Sequence, residues 1–173
     1  MEFQILYAIQ KIHGPLLDEL MAGITSLGDK GWFWLLLSVV FLCIKKTRPL
    51  GLAMVISIAA GALLGNLILK PLIARQRPCW LDQSVALLIA NPRDFSFPSG
   101  HTLVSFEAAV SIFLYRRTWG WWALALAALI AFSRLYLFVH FPTDVLAGAV
   151  LGTTIALAVH RGIVQRGLRG RGD

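Results

Sequence analysis

The stretch from Leu50 to Leu69 reads LGLAMVISIAAGALLGNLIL and contains no charged residue. An α-helix needs about 20 predominantly apolar residues to cross the hydrocarbon core of a bilayer, and this stretch has that length. A largely apolar run of this length favours a bilayer over the core of a soluble domain. We therefore predict that it forms a membrane-spanning helix.

The rest of the chain repeats this pattern. Of its 173 residues, 57% are hydrophobic and 14% are charged, whereas a soluble domain usually carries about 25% charged residues. Four further apolar segments approach the length of a bilayer crossing, namely residues 31–44, 99–115, 119–139 and 142–163. These segments predict an all-α fold, an integral membrane helical bundle with five to six transmembrane helices.

Residues 1–173 are expected to form a single membrane domain. Within residues 1–28, apolar side chains recur at helical spacing from Leu16 to Leu27, with Asp18 and Glu19 off that stripe. The pattern predicts an amphipathic N-terminal helix that lies on the membrane or packs against the bundle, with a short sixth span as the alternative. Residues 164–173 are rich in arginine and predict a basic cytoplasmic tail.

Positive charge is concentrated in short connections and at the C-terminal end. The net charge is +7, and basic residues cluster at 45–48, at 116–117 and after 160, all on one face of the predicted bundle. The positive-inside rule makes that face cytoplasmic, which predicts a multi-pass protein of the cell (plasma or inner) membrane. No basic stripe lies on a soluble surface, so we expect membrane lipids and no nucleic acid as partners.

Three polar clusters interrupt the apolar pattern, and all open onto the face opposite to the basic loops. They are Lys70 with Arg77-Pro78, then Pro98-Ser99-Gly100-His101, then Ser133-Arg134 with His140 and Asp144. Burying ionisable groups among membrane helices is costly, so such residues mark functional sites. We expect the clusters to converge on one active site that faces the extracytoplasmic side.

The second and third clusters combine a helix start with two histidines. Proline favours the first turn of a helix, so Pro142 predicts a helix start that places Asp144 within reach of His140. A carboxylate bonded to one imidazole nitrogen fixes the tautomer and leaves the other nitrogen as nucleophile or base. We therefore predict that His140 attacks phosphorus and that His101 protonates the departing oxygen.

The remaining residues of the clusters suit an anionic phosphate group. Ser99 and Gly100 open a helix whose N-terminus favours an anion. Arginine forks onto two phosphate oxygens, and a lysine adds a point charge. With Lys70, Arg77 and Arg134 offsetting the charge of the transition state, neither a metal nor another cofactor is expected.

The clusters resemble the signature blocks of a known family. Lys70-x6-Arg77-Pro78, Pro98-Ser99-Gly100-His101 and Ser133-Arg134-x5-His140-x3-Asp144 look like the three motifs of the type 2 phosphatidic acid phosphatase superfamily. The resemblance implies a phosphohistidine intermediate on His140, supported by Asp144, with His101 as the general acid. It also implies a metal-free phosphate cradle made of Lys70, Arg77, Ser99, Gly100 and Arg134.

The expected function is hydrolysis of a lipid phosphate or diphosphate in the outer leaflet. The resemblance to short bacterial members suggests undecaprenyl diphosphate as the substrate. Phosphatidylglycerophosphate or phosphatidic acid hydrolysis and lipid phosphotransfer stay open as alternatives, as does a different class, a membrane transporter or flippase. The lipid substrate is the expected partner, and the chain is expected to be a monomer or weak homodimer.

Overall fold

The computed structural model describes residues 1–169, with side chains described as far as residue 162. All regular secondary structure in this part of the chain is helical. The α-helices are α1 (Glu2–Gln10), α2 (Pro15–Ser26), α3 (Trp32–Cys43), α4 (Arg48–Gly61), α5 (Lys70–Ile73), α6 (Pro78–Leu81), α7 (Gly100–Tyr115), α8 (Arg117–Tyr136) and α9 (Pro142–Arg169). A 3₁₀ turn covers Asp29–Gly31, and a π-helical segment covers Ala62–Leu69.

Several helices have the length and apolar character predicted for membrane spans. Among the described residues, three helical segments are by length and composition able to cross a membrane, Arg48–Leu81, Arg117–Tyr136 and Pro142–Gly162. The pair Pro15–Ser26 and Asp29–Cys43, bent by 43°, counts as a fourth if it forms one span. The other predicted crossing is α7, which has 16 residues. The prediction of an all-α membrane bundle is confirmed.

The N-terminal segment forms two helices where the sequence predicted one. Helix α1 ends at Gln10, and α2 starts at Pro15 after Gly14, whose backbone is extended. Proline cannot continue a helix because it lacks the backbone N–H, but it fits well in a first turn. Leu6 and Met21 bury themselves in a cluster with Tyr136, so both helices pack against the end of α8.

Helix α7 lies at the centre of the bundle and packs mainly against α8 and α9. Two glycines let α9 approach its N-terminal half closely. A Cβ atom at Gly148 would lie 2.7 Å from the backbone oxygen of Ser99, and one at Gly152 would lie 2.6 Å from that of Leu103. Only a residue without Cβ allows this approach, so the starts of α7 and α9 lie side by side.

A π-helical segment carries the chain from α4 to Lys70. π-Helical turns are rare in proteins, and those that occur are frequently found at functional sites. This one covers Ala62–Leu69 and leads directly into α5, whose first residue is Lys70. Gly65 at its centre is buried against Leu103 of α7. The segment therefore sets where the first polar cluster meets the start of α7.

The basic loops lie together at the end of the bundle opposite to the polar clusters. The Tyr115 hydroxyl donates a 2.6 Å hydrogen bond to the backbone oxygen of Lys46, which joins two of these loops. Of the predicted basic tail, residues 164–173, the backbone follows α9 as far as Arg169, and residues 170–173 lie outside the described residues.

Candidate active site

The ends of three helices, α5, α7 and α8, bring residues of the three polar clusters to one cavity of about 270 Å³. Lys70 starts α5, His101 lies in the first turn of α7, and Arg134 lies in the last turn of α8. Six predicted site residues line the cavity, namely Lys70, Arg77, Gly100, His101, Arg134 and His140. The clusters are thus in contact although up to 70 residues separate them in the chain.

His140 lies in the connection between α8 and α9, outside the membrane-spanning helices, and its side chain is 1% exposed. Burial, reinforced by the positive charges of Arg77 and Arg134, holds the pKa of His140 well below its usual value. Its Nε2 lies 3.0 Å from Nη1 of Arg77, a group that only donates hydrogen bonds. Nε2 is therefore the unprotonated nitrogen, and its lone pair accepts this hydrogen bond from Arg77, which lines the same cavity.

The other imidazole nitrogen faces Asp144, but not in the direct contact that the sequence predicted. The distance from His140 Nδ1 to Asp144 Oδ2 is 3.6 Å, beyond normal hydrogen-bond length. The hydroxyl of Ser96 lies beside both atoms, 3.4 Å from Nδ1, and it donates a 2.5 Å hydrogen bond to Oδ2. Ser96 is completely buried and was not among the predicted site residues.

The first cluster is held by a carboxylate that the sequence analysis also missed. Asp94 forms an ion pair with Lys70 and accepts a 2.8 Å hydrogen bond from Nη2 of Arg77. Burial raises the pKa of Asp94, but the hydrogen bond and charge of Lys70 outweigh it, and with Arg77 they lower this pKa to about 2. The carboxylate of Asp94 thus forms ion pairs with Lys70 and Arg77, the two cations of this cluster that were predicted to bind phosphate oxygens.

Arg134 brings a cation with spare hydrogen-bonding capacity. Its Nη1 donates a 2.5 Å hydrogen bond to the hydroxyl of Thr25 in α2. The Nε atom is buried and has no hydrogen-bond partner among the described residues. Buried donors in folded proteins are nearly always paired, so an unpaired guanidinium N–H in the bundle beside a cavity indicates a place for an anionic ligand.

His101 is paired with a second carboxylate. Its Nε2 lies 2.9 Å from Oδ1 of Asp29, which belongs to the 3₁₀ turn between α2 and α3. Asp29 is 62% exposed and His101 is 19% exposed, so this pair stands at the mouth of the cavity. The site therefore contains two histidine–carboxylate pairs, one buried and one open to the surroundings.

Ser99 and Gly100 occupy the helix start that the sequence predicted, with different surroundings. Ser99 is the residue before the first turn of α7, but its hydroxyl makes no capping hydrogen bond and accepts one from Thr102. It is fully buried and lies behind the cavity wall. Gly100 lines the cavity, and a Cβ there would lie 3.1 Å from Oδ1 of Asn66 in the π-helical segment.

A larger cavity of about 530 Å³ adjoins the first one and shares Asp29, Lys70, Asp94, Gly100 and His101 with it. Its polar part is lined by Lys30 and Asn66, and its apolar part by residues of α4, the π-helical segment and α7 (Ile58, Ala62, Leu103 and Val104). Glu107 lines it as well, with one buried carboxylate oxygen unpaired among the described residues. His101 therefore stands on the boundary between a cationic and a more apolar cavity.

The described residues include no group of three or more His, Cys, Asp or Glu side chains placed to hold a metal ion. The charge available to stabilise an anion comes from Lys70, Arg77 and Arg134. Guanidinium and ammonium groups suit phosphate oxygens. The arrangement can therefore bind a phosphate group beside the imidazoles of His101 and His140, which line the same cavity.

Three residues that complete the site, Asp29, Asp94 and Ser96, come from connections without helical periodicity. The sequence around each of them offers only a weak indication of a functional role. Asp29 lies in a turn bounded by Gly28 and Gly31 at the end of an apolar segment. Asp94 and Ser96 precede the second cluster directly, in the longest polar connection of the chain, and long loops are often functional.

Comparison with known proteins gives consistent matches. Residues 50–168 match the family described as PAP2 superfamily. The chain is 35% identical over 141 residues to an undecaprenyl-diphosphatase of Sulfolobus acidocaldarius, covering 81% of this chain and 68% of the relative. It is 32% identical to a lipid A 4'-phosphatase of Bacteroides thetaiotaomicron, covering 86% of this chain and 71% of the relative.

A solved structure matches over almost the whole chain. The crystal structure of a transmembrane PAP2-type phosphatidylglycerolphosphate phosphatase from Bacillus subtilis has a TM-score of 0.78 and 31% sequence identity. The match covers 94% of this chain and 84% of the other. Because identity and fold agree over this length, the comparison extends to the region around the cavity.

The helical membrane bundle and these matches define a multi-pass membrane lipid phosphatase, a hydrolase of phosphate esters or diphosphates. The chain belongs to the PAP2 superfamily. The family membership and the lipid phosphatase activity predicted from the three clusters are confirmed.

Proposed function

We propose that this protein hydrolyses the terminal phosphate of a lipid diphosphate, undecaprenyl diphosphate, through a phosphohistidine on His140. The observation that carries the proposal is the 270 Å³ cavity. There Nε2 of His140, three cations and His101 meet at one place. Nucleophilic catalysis needs an unprotonated nitrogen, and the low pKa of His140 keeps the imidazole neutral.

In the first half-reaction, Arg77 Nη1 exchanges its hydrogen bond to His140 Nε2 for one to a phosphate oxygen. The freed lone pair of Nε2 then attacks phosphorus as the P–O bond to the lipid part breaks. The electron pair of that bond moves to the leaving oxygen, which takes a proton from His101. Lys70, Arg77 and Arg134 stabilise the charge on the three equatorial oxygens. To bind them, the phosphate displaces the carboxylate of Asp94 from Lys70 and Arg77.

In the second half-reaction, water attacks the phosphohistidine from the side that the leaving group has vacated. His101, now neutral, takes a proton from that water, and the P–N bond breaks with its electron pair returning to Nε2. Inorganic phosphate leaves, and both histidines regain their starting states. A lipid hydroxyl in place of water would give phosphotransfer instead.

The larger cavity supports a lipid leaving group. It begins beside His101, which protonates the leaving oxygen, and continues along the apolar side chains of Ile58 and Leu103. Lys30 and Asn66 line its polar part, where the phosphate retained by the lipid would lie. The similarity to an undecaprenyl-diphosphatase supports this substrate. Phosphatidylglycerophosphate is the second candidate, favoured by the match to a phosphatase of that lipid.

The location of the site supports an extracytoplasmic active site in the cell membrane. The cavity is lined by the start of α7 and the end of α8, whereas the basic loops at 45–48 and 116–117 join the opposite helix ends. Positive charge in short loops marks the cytoplasmic side. We also propose that the protein acts as a monomer or weak homodimer.

The test is phosphate release in detergent with EDTA present. Undecaprenyl diphosphate, phosphatidylglycerophosphate and phosphatidic acid are compared for wild type and His140→Ala. We expect the highest kcat/KM with undecaprenyl diphosphate and a loss of at least about 10³-fold in the variant with every substrate. Preference for another lipid would change the proposed substrate, and activity that survives in His140→Ala would refute the phosphohistidine.

A further inference from the structure

Arg75 connects the N-terminal helix to the buried carboxylate behind His140. Its Nη1 donates 2.6 Å hydrogen bonds to Oδ1 of Asp144 and to the hydroxyl of Thr143. Its Nη2 donates a 2.6 Å hydrogen bond to Oε2 of Glu2 in α1. The guanidinium carbon also stacks 4.2 Å from the ring centre of Phe141. Arg75 is therefore fixed on both its charged edge and its flat face.

The carboxylate of Asp144 has no freedom to rotate. Oδ1 accepts the hydrogen bond from Arg75, and Oδ2 accepts one from the hydroxyl of Ser96 and a 2.8 Å one from the backbone N–H of Phe141. The side chain is completely buried. The Ser96 hydroxyl that is bonded to Oδ2 also contacts Nδ1 of His140 at 3.4 Å. The orientation of the imidazole therefore depends on where these partners hold the carboxylate.

We propose that Arg75 is a positioning residue that holds Asp144 in place from α1, and that the hydroxyl of Ser96 passes this orientation to His140. The inference rests on the proposed function, in which Nε2 of His140 is the nucleophile. A nucleophile must be held close to its attack geometry, and misplacement by about 1 Å can cost about 10²-fold in rate. The N-terminal segment thereby becomes part of the catalytic support.

Direct substrate binding by Arg75 is the competing role for an arginine so near the site. Within the described part of the chain, Arg75 lines neither the 270 Å³ cavity nor the 530 Å³ cavity. Its donors are directed to Asp144, Thr143 and Glu2. A positioning role changes kcat, whereas a substrate contact changes KM and the affinity for phosphate, so the two roles are separable by kinetics.

The experiment measures kcat, KM and competitive inhibition by inorganic phosphate in detergent for Arg75→Gln, Arg75→Lys and Glu2→Gln. Arg161→Gln is the matched control, since it removes the same charge from an exposed position near the other end of α9. For Arg75→Gln we expect kcat to fall about 10- to 100-fold, with KM and the inhibition constant of phosphate within about twofold of wild type.

Two further variants test the connection itself. Arg75→Lys keeps a cation beside Asp144 and is expected to return kcat to within about threefold of wild type, although lysine cannot fork onto two partners. Glu2→Gln is expected to lower kcat about threefold alone and to have no further effect in the Arg75→Gln background, because residues that act through each other are not additive.

Several results would overturn the inference. A rise in KM or in the phosphate inhibition constant with kcat unchanged would make Arg75 a substrate contact. An equal loss in Arg161→Gln, or additive effects of Glu2→Gln and Arg75→Gln, would remove the connection through Asp144. If Arg75→Gln does not fold, Arg75→Lys and Glu2→Gln decide. Activity that survives His140→Ala refutes the proposed function as well, whereas unchanged kcat in Arg75→Gln refutes only this inference.

Discussion

The two histidine–carboxylate pairs of the site differ most in their exposure. His140 and Asp144 are 1% and 0% exposed, whereas His101 and Asp29 are 19% and 62% exposed. Arg75, Arg77 and Ser96 contact the side chains of the buried pair. Both residues of the open pair line the two cavities. The difference fits the roles proposed for the two histidines, because a nucleophile needs a fixed orientation, whereas a proton donor needs access to the leaving group and to water.

The largest effect is expected when the buried carboxylate is changed. Asp144→Asn keeps the shape but turns one acceptor oxygen into a donor facing Arg75 or Ser96. We expect kcat to fall about 10³-fold or more, since an Asp→Asn change behind a catalytic histidine can cost about 10⁴-fold. Phosphate release is measured beside Glu19→Gln, which changes an exposed carboxylate. A loss below tenfold would contradict the role given to the buried pair.

The second effect separates the two histidines by their chemistry. His101→Ala removes the proposed proton donor, and general acid catalysis typically contributes about 10²–10⁴-fold. The loss is expected to be largest with phosphatidic acid, whose leaving group is an alkoxide that needs the proton. With p-nitrophenyl phosphate, whose leaving group needs no proton, we expect a loss of less than about tenfold. His140→Ala should abolish hydrolysis of both substrates. Equal losses for both substrates in His101→Ala would refute the division of labour.

The sequence predicts the buried pair better than the open pair. His140 and Asp144 lie four residues apart around a helix start, so a local rule for proline and helix turns places them together. Asp29 is 72 residues from His101, and only the packing of the 3₁₀ turn against α7 brings them into contact. The bundle follows from apolar runs, because a bilayer imposes segment length directly.

The site residues that the sequence did not predict lie in loops, and there is a physical reason for this. Asp94 and Ser96 lie in an irregular connection, where no periodicity relates position in the chain to position in space. The break between α1 and α2 depends on Gly14 and Pro15. The apolar stripe that starts at Leu16 predicted a single helix and gave no sign of this break. Patterns of three to four residues thus predict the helices and their polar ends, and tertiary packing decides which loop side chains meet them.

A smaller effect is expected at the open pair. Asp29→Asn weakens the support of His101, but a carboxylate that is 62% exposed contributes little through an ion pair because water screens it. We expect kcat for a lipid diphosphate to fall about fivefold, with KM within about twofold. The measurement is the same assay as for Asp144→Asn, and the ratio of the two losses tests the comparison. Equal losses would mean that exposure does not distinguish the pairs.

The smallest effect concerns Asp94, which is 55% exposed but paired with two buried cations. Its pKa is lowered from 3.8 to about 2, so the folded protein binds fewer protons than the unfolded chain between these values. The stabilisation is therefore complete above the ordinary pKa and is lost as the pH falls through about 2. We expect the unfolding temperature in detergent to be higher for wild type than for Asp94→Asn at pH 5, with the gap closing towards pH 2. A gap that stays constant over this range would show that Asp94 does not stabilise the site through its charge.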